Sequence, residues 1–368
     1  MLEVLMTSTS YPRDNQDWRG RFIADLVESL GKDAETSLHL WAPPGRLPAS
    51  VRAATRGAES AWLEHLMDSG GIAASLRRKN PASVRTAFTL LRLLAKAYRR
   101  HRFADIIHVH WLQNALPLIG GRQPLVISVL GSDFGLLRVP GMTCLLKAVM
   151  RNRPCLLAPN ADWMVPRLEE AFGELAQIRT IPFGVDARWF EIKRDTKQMK
   201  DECWIVVSRM TPEKLGPLFA WFETFAGKNS ELHLFGPAGR DFRPPPRATF
   251  HGPVMPRDLR NVWYPSATAL ITLSEHDEGR PQVILEAMAA GVPVIASDMP
   301  AHRDVITDGA TGRLVSNQRE FQSAMLELLD ADTNQTMGRN ARRWVSQHIG
   351  TWDDCARRFT EAYKEILS

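Results

Sequence analysis

Two glutamates with seven residues between them, Glu278 and Glu286, stand on either side of a predicted helix start. Pro281 suits the first helical position, because its missing N–H would have no partner there and its φ is preset. Unpaired backbone N–H groups at a helix start favour an anion, whereas carboxylates accept hydrogen bonds from hydroxyl groups. A nucleotide diphosphate-sugar carries both kinds of group, so we interpret Glu278 as binding sugar hydroxyls and Glu286 as binding ribose hydroxyls.

The alternative interpretation of this pair is that both are ordinary solvated helix glutamates, with Glu278 stabilised by the positive end of the helix dipole. The whole of residues 278–294, EGRPQVILEAMAAGVPV, favours the ligand instead. The segment resembles the nucleotide-sugar site of the retaining glycosyltransferases of family 4, which reads close to E-G-x-P-x-x-x-x-E-A-M-A-x-G-x-P-V. The resemblance implies a GT-B fold and a substrate-binding role for the positions after the first glutamate: Gly279, Arg280, Pro281, Gln282 and Val283.

Arg209 and Lys214 follow a predicted strand, in the segment VVSRMTPEKLG. A basic pair at a strand-to-helix turn can neutralise a departing diphosphate without a metal ion, although taken alone the pair could equally be two surface cations. The segment resembles the G-R-L-x-x-x-K-G of the family, whose Arg and Lys contact the donor diphosphate. Leu215 replaces the usual glycine and Gly216 follows one place later, so we expect a reshaped turn.

Gly20 closes the loop of residues 7–20, just before a predicted helix at residues 21–30. The resemblance implies that the backbone of a glycine-containing loop at this place approaches the donor pyrophosphate and the acceptor. The alternative is a plain helix-entry turn.

His108 and His110 alternate along a predicted strand, so both lie on one face of it. Their spacing could suit a metal ion, but no carboxylate or cysteine nearby completes a ligand set. The segment HVHW resembles the H-A-H-W of the family, in which the second histidine lies at the cleft. The alternative is a half-buried, hydrogen-bonded histidine.

Leu130 is the main departure from the family pattern. Residues 130–133, LGSD, stand where related enzymes often read H-G-x-D, with the histidine near the transferred sugar. Leucine can neither donate nor accept a hydrogen bond, so this contact is absent or is supplied by His110 or Asp133. The candidate catalytic residues are therefore Glu278, Arg209, Lys214, His110 and Asp133.

Val254 ends the segment TFHGPV, which resembles the family segment whose backbone meets the nucleobase; a strand-to-loop turn is the alternative. We expect neither a metal ion nor another cofactor, because no acidic pair such as D-x-D stands at a predicted strand end.

Short apolar strands alternate with helical stretches through both halves of the chain. We predict strands at residues 2–7, 36–41, 106–110, 125–130 and 178–182, and again at 204–207, 232–235, 248–250, 269–273 and 292–296. This alternation indicates right-handed βαβ units and parallel sheets. The predicted fold is α/β, with two doubly wound, Rossmann-like domains that face a cleft at the carboxyl ends of their strands.

The polar residues 191–202 are the best candidate for a linker between these domains. They divide the chain into an N-terminal, acceptor-side domain of residues 1–190 and a C-terminal, nucleotide-sugar-binding domain of residues 203–349. Residues 181–190, IPFGVDARWF, resemble the I-P-N-G-V-D segment that precedes the family's linker, with Phe183 in place of Asn. The closing residues 350–368 resemble the helix that crosses back to the first domain.

The composition is that of a globular protein, with 368 residues of which 44% are hydrophobic and 24% charged, enough for two domains. Its four scattered cysteines indicate reduced thiols in a cytosolic protein. Residues 1–7 lack the basic start of a signal peptide, and no run of eighteen apolar residues occurs. We therefore expect a cytoplasmic protein.

Basic charge is concentrated between residues 74 and 102, which carry nine Lys and Arg and no acid. Val84, Phe88, Leu91 and Ala95 recur there at helical spacing. We predict that residues 77–102 dock on an anionic membrane, at the inner face of the cell membrane. The alternative is a helix packed on the sheet with a solvated basic face. Nucleic acid is not expected as a partner, because the candidate site points to sugars.

These expectations describe a retaining, metal-independent glycosyltransferase. It moves a sugar from a UDP- or GDP-sugar to a hydroxyl of a glycan acceptor, carried on a lipid, in cell-surface polysaccharide biosynthesis. Two alternatives stay open: a nucleotide-sugar 2-epimerase of the same fold, and a catalytically inactive partner subunit, to which the leucine at position 130 points.

Overall fold

The computed structural model describes residues 1–72, 75, 81–131, 133–194, 202–225, 230–276 and 278–368. The chain forms two compact units, the first made of Met1–Phe183 with Trp352–Ser368 and the second of Gly184–Thr351. Val185, Trp189 and Ile192 belong to the apolar core of the second unit. Residues 195–201 of the predicted linker lie outside the described part of the chain, so the linker stays a prediction.

Seven parallel strands form the sheet of the first unit, in the order β3-β2-β1-β4-β5-β6-β7. The strands are β1 (Leu2–Thr7), β2 (Thr36–Trp41), β3 (Val51–Ala53), β4 (Ile106–His110), β5 (Leu125–Val129), β6 (Cys155–Pro159) and β7 (Gln177–Ile178). The strand order reverses between β1 and β4, which is the place where doubly wound sheets bind ligands.

Helices cover both faces of this sheet, as a parallel sheet requires. They are α1 (Arg21–Leu30), α2 (Gly57–Asp68), α3 (Pro81–Arg100), α4 (Met142–Met150), α5 (Val165–Phe172) and the C-terminal helix (Trp352–Leu367), with 3-10 turns at Leu112–Leu118, Phe134–Arg138 and Asp162–Met164. One face packs against α2 to α5, and the other against α1 and the C-terminal helix. The helix predicted to return to the first domain is therefore confirmed.

The second unit repeats the plan with six parallel strands, in the order β10-β9-β8-β11-β12-β13. The strands are β8 (Glu202–Val207), β9 (Ser230–Phe235), β10 (Ala248–Gly252), β11 (Ala269–Thr272), β12 (Val294–Ser297) and β13 (Arg313–Val315). The helices are α6 (Pro212–Leu215), α7 (Leu218–Phe225), α8 (Pro256–Asp258), α9 (Gln282–Ala289), α10 (Pro300–Arg303), α11 (Gln318–Leu328) and α12 (Ala331–His348), with a π-turn at Leu259–Trp263 and 3-10 turns at Ala187–Trp189 and Tyr264–Ser266.

The two doubly wound α/β domains predicted from the sequence are thus confirmed, but one strand is misplaced. The strand expected at residues 178–182 is Gln177–Ile178. Beyond it, only the N–H groups of Arg179 and Ile181 bond to carbonyls of β6, so the ladder is one-sided. The sequence does not predict three of the strands. Strands β3 and β13 have three residues each, too few to show alternation, and β6 is buried on both faces, so its residues do not alternate.

Among the described helices, none combines the length and the apolar composition that crossing a bilayer requires.

Candidate active site

Three loops of the second unit are joined by hydrogen bonds where strands β8, β11 and β12 end. The N–H of Glu275, after β11, donates to the carbonyl of Glu213, in the turn after β8, at 2.8 Å. The hydroxyl of Ser297, at the end of β12, donates to the carbonyl of Ser274 at 2.6 Å. Strand order reverses between β8 and β11, so these loops lie at the ligand-binding edge of the sheet.

Lys214 and Glu278 meet at this edge in an ion pair between Nζ and Oε1. Their side chains are 14% and 20% exposed, so both are largely shielded from water. The hydroxyl of Ser274 donates to the same carboxylate oxygen at 3.3 Å. An ammonium group held by a single carboxylate can be drawn away by a diphosphate, which offers more negative charge and more acceptor oxygens.

Arg209 lies five residues before Lys214, in the loop that follows β8, and its side chain is partly exposed. Its carbonyl accepts from the N–H of Thr211 at 2.8 Å. This tight turn directs the chain into α6, which carries Lys214. Both predicted basic residues therefore belong to one loop at the end of β8.

The turn after Lys214 explains the displaced glycine. Gly216 has φ 52°, and a Cβ at this position would clash with the carbonyl oxygen of Leu273, so no other residue fits without strain. Leu215 is buried in the apolar core of this unit. Moving the glycine by one place therefore keeps a close approach between two loops of the site and adds an apolar anchor.

Helix α9 begins at Gln282, one residue later than predicted. Pro281 precedes the helix with ψ 115°, an extended conformation, so its assignment as the first helical residue is wrong. Gly291 follows α9 with the expected left-handed φ of 72°. The side-chain amide of Gln282 donates to the carbonyl of Gly184 at 2.6 Å, and Val283 packs on the core of the unit.

Arg280 forms a buried ion pair with Asp304, in which both side chains are 4% exposed. Its Nε donates to the carboxylate at 2.9 Å, and a second guanidinium nitrogen donates to the same oxygen. The pair ties the loop of Glu278 and Gly279 to the residue that follows α10. The structure gives the side chain of Arg280 this structural role, and its expected contact with the donor stays a prediction.

Glu286 lies in the middle of α9 and is half-buried. Burial, with the charge of Glu286 adding to it, raises the pKa of Tyr264 well above its ordinary value. The guanidinium of Arg260 lies 5.2 Å from the centre of the Trp189 ring. Burial lowers the pKa of Arg260, whereas the negative charge of Glu286 raises it. Val254 contacts the same apolar core. The charge of Glu286 thus acts on a cation and on a phenol.

Gly20 precedes α1 with φ 69°, and a Cβ there would lie 2.6 Å from the Ser10 hydroxyl and 2.7 Å from the Tyr11 nitrogen. Glycine is therefore required by the packing of its own loop, whether or not a ligand approaches it.

His108 and His110 are fully buried and stacked, with ring centres 4.7 Å apart. His108 bonds to the Tyr363 hydroxyl at 2.6 Å and to the Ser128 hydroxyl at 2.8 Å. Nδ1 of His110 donates to the carbonyl of Thr7 at 3.3 Å, and its Nε2 has no partner within the described residues. Burial lowers the pKa of His110 to about 4, so its ring is neutral at pH 7.

Asp133 is buried, and its carboxylate accepts from the N–H groups of Leu112 at 3.0 Å and Leu130 at 3.1 Å. Burial raises its pKa to about 6. These bonds hold the loops after β4 and β5 together around Trp111, whose φ of 66° is unusual for a residue with a side chain. The geometry assigns Asp133 to the support of these loops.

Part of the second unit matches a family of known proteins. Residues 205–331 match the family model for group 1 glycosyl transferases. The D-inositol 3-phosphate glycosyltransferase of Acidothermus cellulolyticus is 26% identical over 325 residues, which are 77% of this chain and 72% of that protein. The match to spore coat protein SA of Bacillus subtilis, 26% identical, spans 36% of this chain and only 35% of that protein.

Solved structures share the fold over the whole chain. Sucrose-phosphate synthase of Thermosynechococcus elongatus has a TM-score of 0.75 at 17% identity and covers 100% of this chain and 99% of its own. The Anabaena protein HepE, solved with UDP and glucose, has a TM-score of 0.66 at 16% identity and covers 99% and 100%. The chain is thus similar to glycosyltransferases and has the GT-B fold.

Several residues of the candidate site could not be recognised in the sequence. The Ser297 hydroxyl donates to the carbonyl of Ser274, and the charge of Glu286 acts on Arg260 and Tyr264. The two serines stand at the ends of predicted strands, which is a usable signal. Arg260 and Tyr264 lie in an irregular turn with no motif, so only the tertiary structure places them.

Proposed function

We propose that this glycosyltransferase is a retaining, metal-independent enzyme that uses a UDP-sugar donor and transfers the sugar to a hydroxyl of a lipid-linked glycan, in cell-surface polysaccharide biosynthesis. The observation that carries the proposal is the ion pair of Lys214 and Glu278 at the strand-order reversal, with Glu278 four residues before the start of α9. It combines a movable cation, a carboxylate and helix N–H groups, which suit a diphosphate and a sugar. Uridine is preferred over guanosine because HepE was solved with UDP.

In the proposed reaction the bond between the anomeric carbon and the diphosphate oxygen breaks as the acceptor oxygen bonds to that carbon on the same face. The acceptor proton passes to the departing diphosphate. Lys214 and Arg209 stabilise the growing negative charge, together with the first N–H groups of α9. Glu278, released from Lys214, orients the sugar, and Glu286 binds the ribose.

In the first unit, His110 is the proposed acceptor-side contact, because its neutral ring keeps one unprotonated nitrogen without a partner among the described residues. Asp133 supports it indirectly by holding the loop of Leu112, two residues further along the chain. Leu130 leaves no polar group at its own position.

A lipid-linked acceptor is favoured by the exposed face of α3, in the same unit as His110. Val84 and Phe88 are 71% and 68% exposed, and four exposed cations share the helix: Arg85, Arg92, Lys96 and Arg99. Part of the predicted apolar stripe is therefore exposed, because the side chains of α3 that pack in the core are Leu90, Leu94, Ala97 and Tyr98. Exposed apolar side chains beside cations suit the inner face of a cell membrane, where each cation contributes about 1 kcal/mol.

Two parts of the predicted basic surface do not enter this argument. Arg100 forms hydrogen-bonded ion pairs with both oxygens of the buried Glu59, so its charge is already neutralised. Arg77, Arg78 and Lys79 lie outside the described residues.

The membrane proposal predicts co-sedimentation with anionic vesicles and little with neutral ones, and release at high salt. Changing the four exposed cations of α3 to Gln should abolish this binding. A matched control removes four exposed arginines of the second unit: Arg240, Arg243, Arg247 and Arg257. Equal loss in both variants, or equal binding to neutral vesicles, would leave α3 as an ordinary solvated helix.

The donor assignment predicts that Glu286→Ala weakens binding of UDP-sugar by about 1–3 kcal/mol, because charge-assisted hydrogen bonds to the ribose are lost. Calorimetry with UDP-glucose and GDP-glucose on the folded variant measures this. Unchanged affinity would remove Glu286 from the site.

Activity is tested with labelled UDP- and GDP-sugars, with and without a lipid-linked acceptor extract. Transfer that requires the extract supports the proposal. Conversion of the nucleotide-sugar alone would identify a 2-epimerase, and binding without turnover would identify an inactive partner subunit.

A further inference from the structure

His302 is a buried histidine beside the donor site that the proposed mechanism leaves unused. It lies on α10, directly after β12, and is 0% exposed. Its Nδ1 donates to the carbonyl of Ser297 at 2.7 Å. Because that nitrogen carries the proton of the neutral ring, Nε2 is an acceptor, and it has no partner in the described part of the chain. A buried polar atom without a partner calls for a reason.

A chain of short contacts connects His302 with Glu278. The Ser297 hydroxyl lies 3.3 Å from Nδ1 of His302 and donates to the Ser274 carbonyl at 2.6 Å. The Ser274 hydroxyl in turn donates to Oε1 of Glu278. The buried pair of Arg280 and Asp304 fastens the same two segments together. His302 and Glu278 are therefore linked through Ser297 and Ser274.

The charges around His302 come from three segments. Burial lowers the pKa of His302; Glu278 raises it, Lys214 lowers it, and Asp298 raises it. Asp298 is already paired with Arg303. Glu278 and Lys214 neutralise each other in the structure as it stands, so burial prevails and the ring is neutral.

We propose that His302 is a positioning residue of the donor site, which takes up a proton and holds Glu278 when the donor diphosphate draws Lys214 away. The inference rests on the proposed function. Once Lys214 faces the diphosphate, Glu278 would be a shielded carboxylate without a cation, a costly state. A protonated His302 supplies the missing charge and keeps the carboxylate oriented toward the sugar.

The sign of the pH dependence follows from this exchange. Donor binding raises the pKa of His302, so the bound state gains a proton and is favoured at low pH. The gain is lost as pH rises through the pKa of the bound state. A rise of about one pKa unit raises affinity by at most tenfold over the whole titration, so donor affinity should be higher at pH 6 than at pH 8, by less than tenfold.

The experiment is calorimetric titration with UDP-glucose and with GDP-glucose, in two buffers of different ionisation enthalpy, between pH 6 and 8. Both phosphates of these ligands are diesters and do not titrate in this range. Wild type should take up to one proton on binding. His302→Asn, which keeps a donor toward Ser297, and His302→Gln, which keeps an acceptor, should each take up none. His348→Asn, at an exposed histidine of the same unit, should behave like wild type.

The outcomes separate the two proposals. If neither nucleotide-sugar binds wild type, the donor assignment fails, and the role of His302 fails with it. If one binds but the proton uptake is zero, or is the same in the His302 variants, His302 is only a packing residue. A merely structural loss in His302→Asn would lower stability without removing the difference between the two buffers.

Discussion

Replacing Lys214 with alanine should lower the turnover number by about a hundredfold or more, the scale seen when one electrostatic stabiliser of a transition state is removed. Lys214 is shielded from water, so its charge, once released from Glu278, acts strongly on a diphosphate that becomes most negative as the sugar departs. Stability should change less than turnover. Initial rates at saturating donor, with urea unfolding of the same samples, measure both effects.

The control for Lys214→Ala is Arg257→Ala, which removes an exposed cation from the same unit and should leave the rate unchanged. The double variant Lys214→Ala with Glu278→Gln separates the two members of the ion pair, because the single variant leaves Glu278 without its cation. A near-normal rate in Lys214→Ala would show that the turn with Leu215 and Gly216 has moved the phosphate site elsewhere.

Replacing Arg280 with alanine should destabilise the protein by about 3–5 kcal/mol, because Asp304 would be left as a buried charge without its cation. Donor affinity per folded molecule should stay within about twofold, since the guanidinium is already bound to Asp304. Urea unfolding gives the change in stability, and calorimetry on the folded fraction gives the affinity.

Two further variants serve as controls for Arg280→Ala. Arg357→Ala removes a member of an exposed ion-pair cluster and should cost little stability. Arg280→Met with Asp304→Leu replaces both charges by apolar groups and should recover most of the lost stability. A stable Arg280→Ala protein with weakened donor binding would restore the direct contact that the sequence motif had suggested.

Local patterns predicted the framework of the protein well. The bounds of β1, β2, β4 and α1 match the prediction, and so does the C-terminal helix. Alternation along strands and helical spacing are short-range signals, and buried parallel strands are short apolar runs between turns. Residues 178–182 are apolar enough to predict a strand, but beyond Ile178 they bond to β6 through their N–H groups only.

The two faces of α3 show what a local sequence pattern cannot predict. Its sequence contains two apolar stripes at helical spacing, one with Val84 and Phe88 and one with Leu90 and Leu94. Only the second lies in the core. Spacing defines the stripes, but the neighbouring sheet and helices decide which of them is buried, and those neighbours are distant in sequence.

The sequence by itself determined which residues form the donor motif, because Glu278, Pro281, Glu286 and Gly291 are close along the chain and follow one helix start and end. Only the tertiary structure decided what each side chain contacts. The pairing of Lys214 with Glu278 spans 64 residues and that of Arg280 with Asp304 spans 24. Such pairs depend on which strands are neighbours in the sheet, and strand order is set by long-range packing that no local pattern contains.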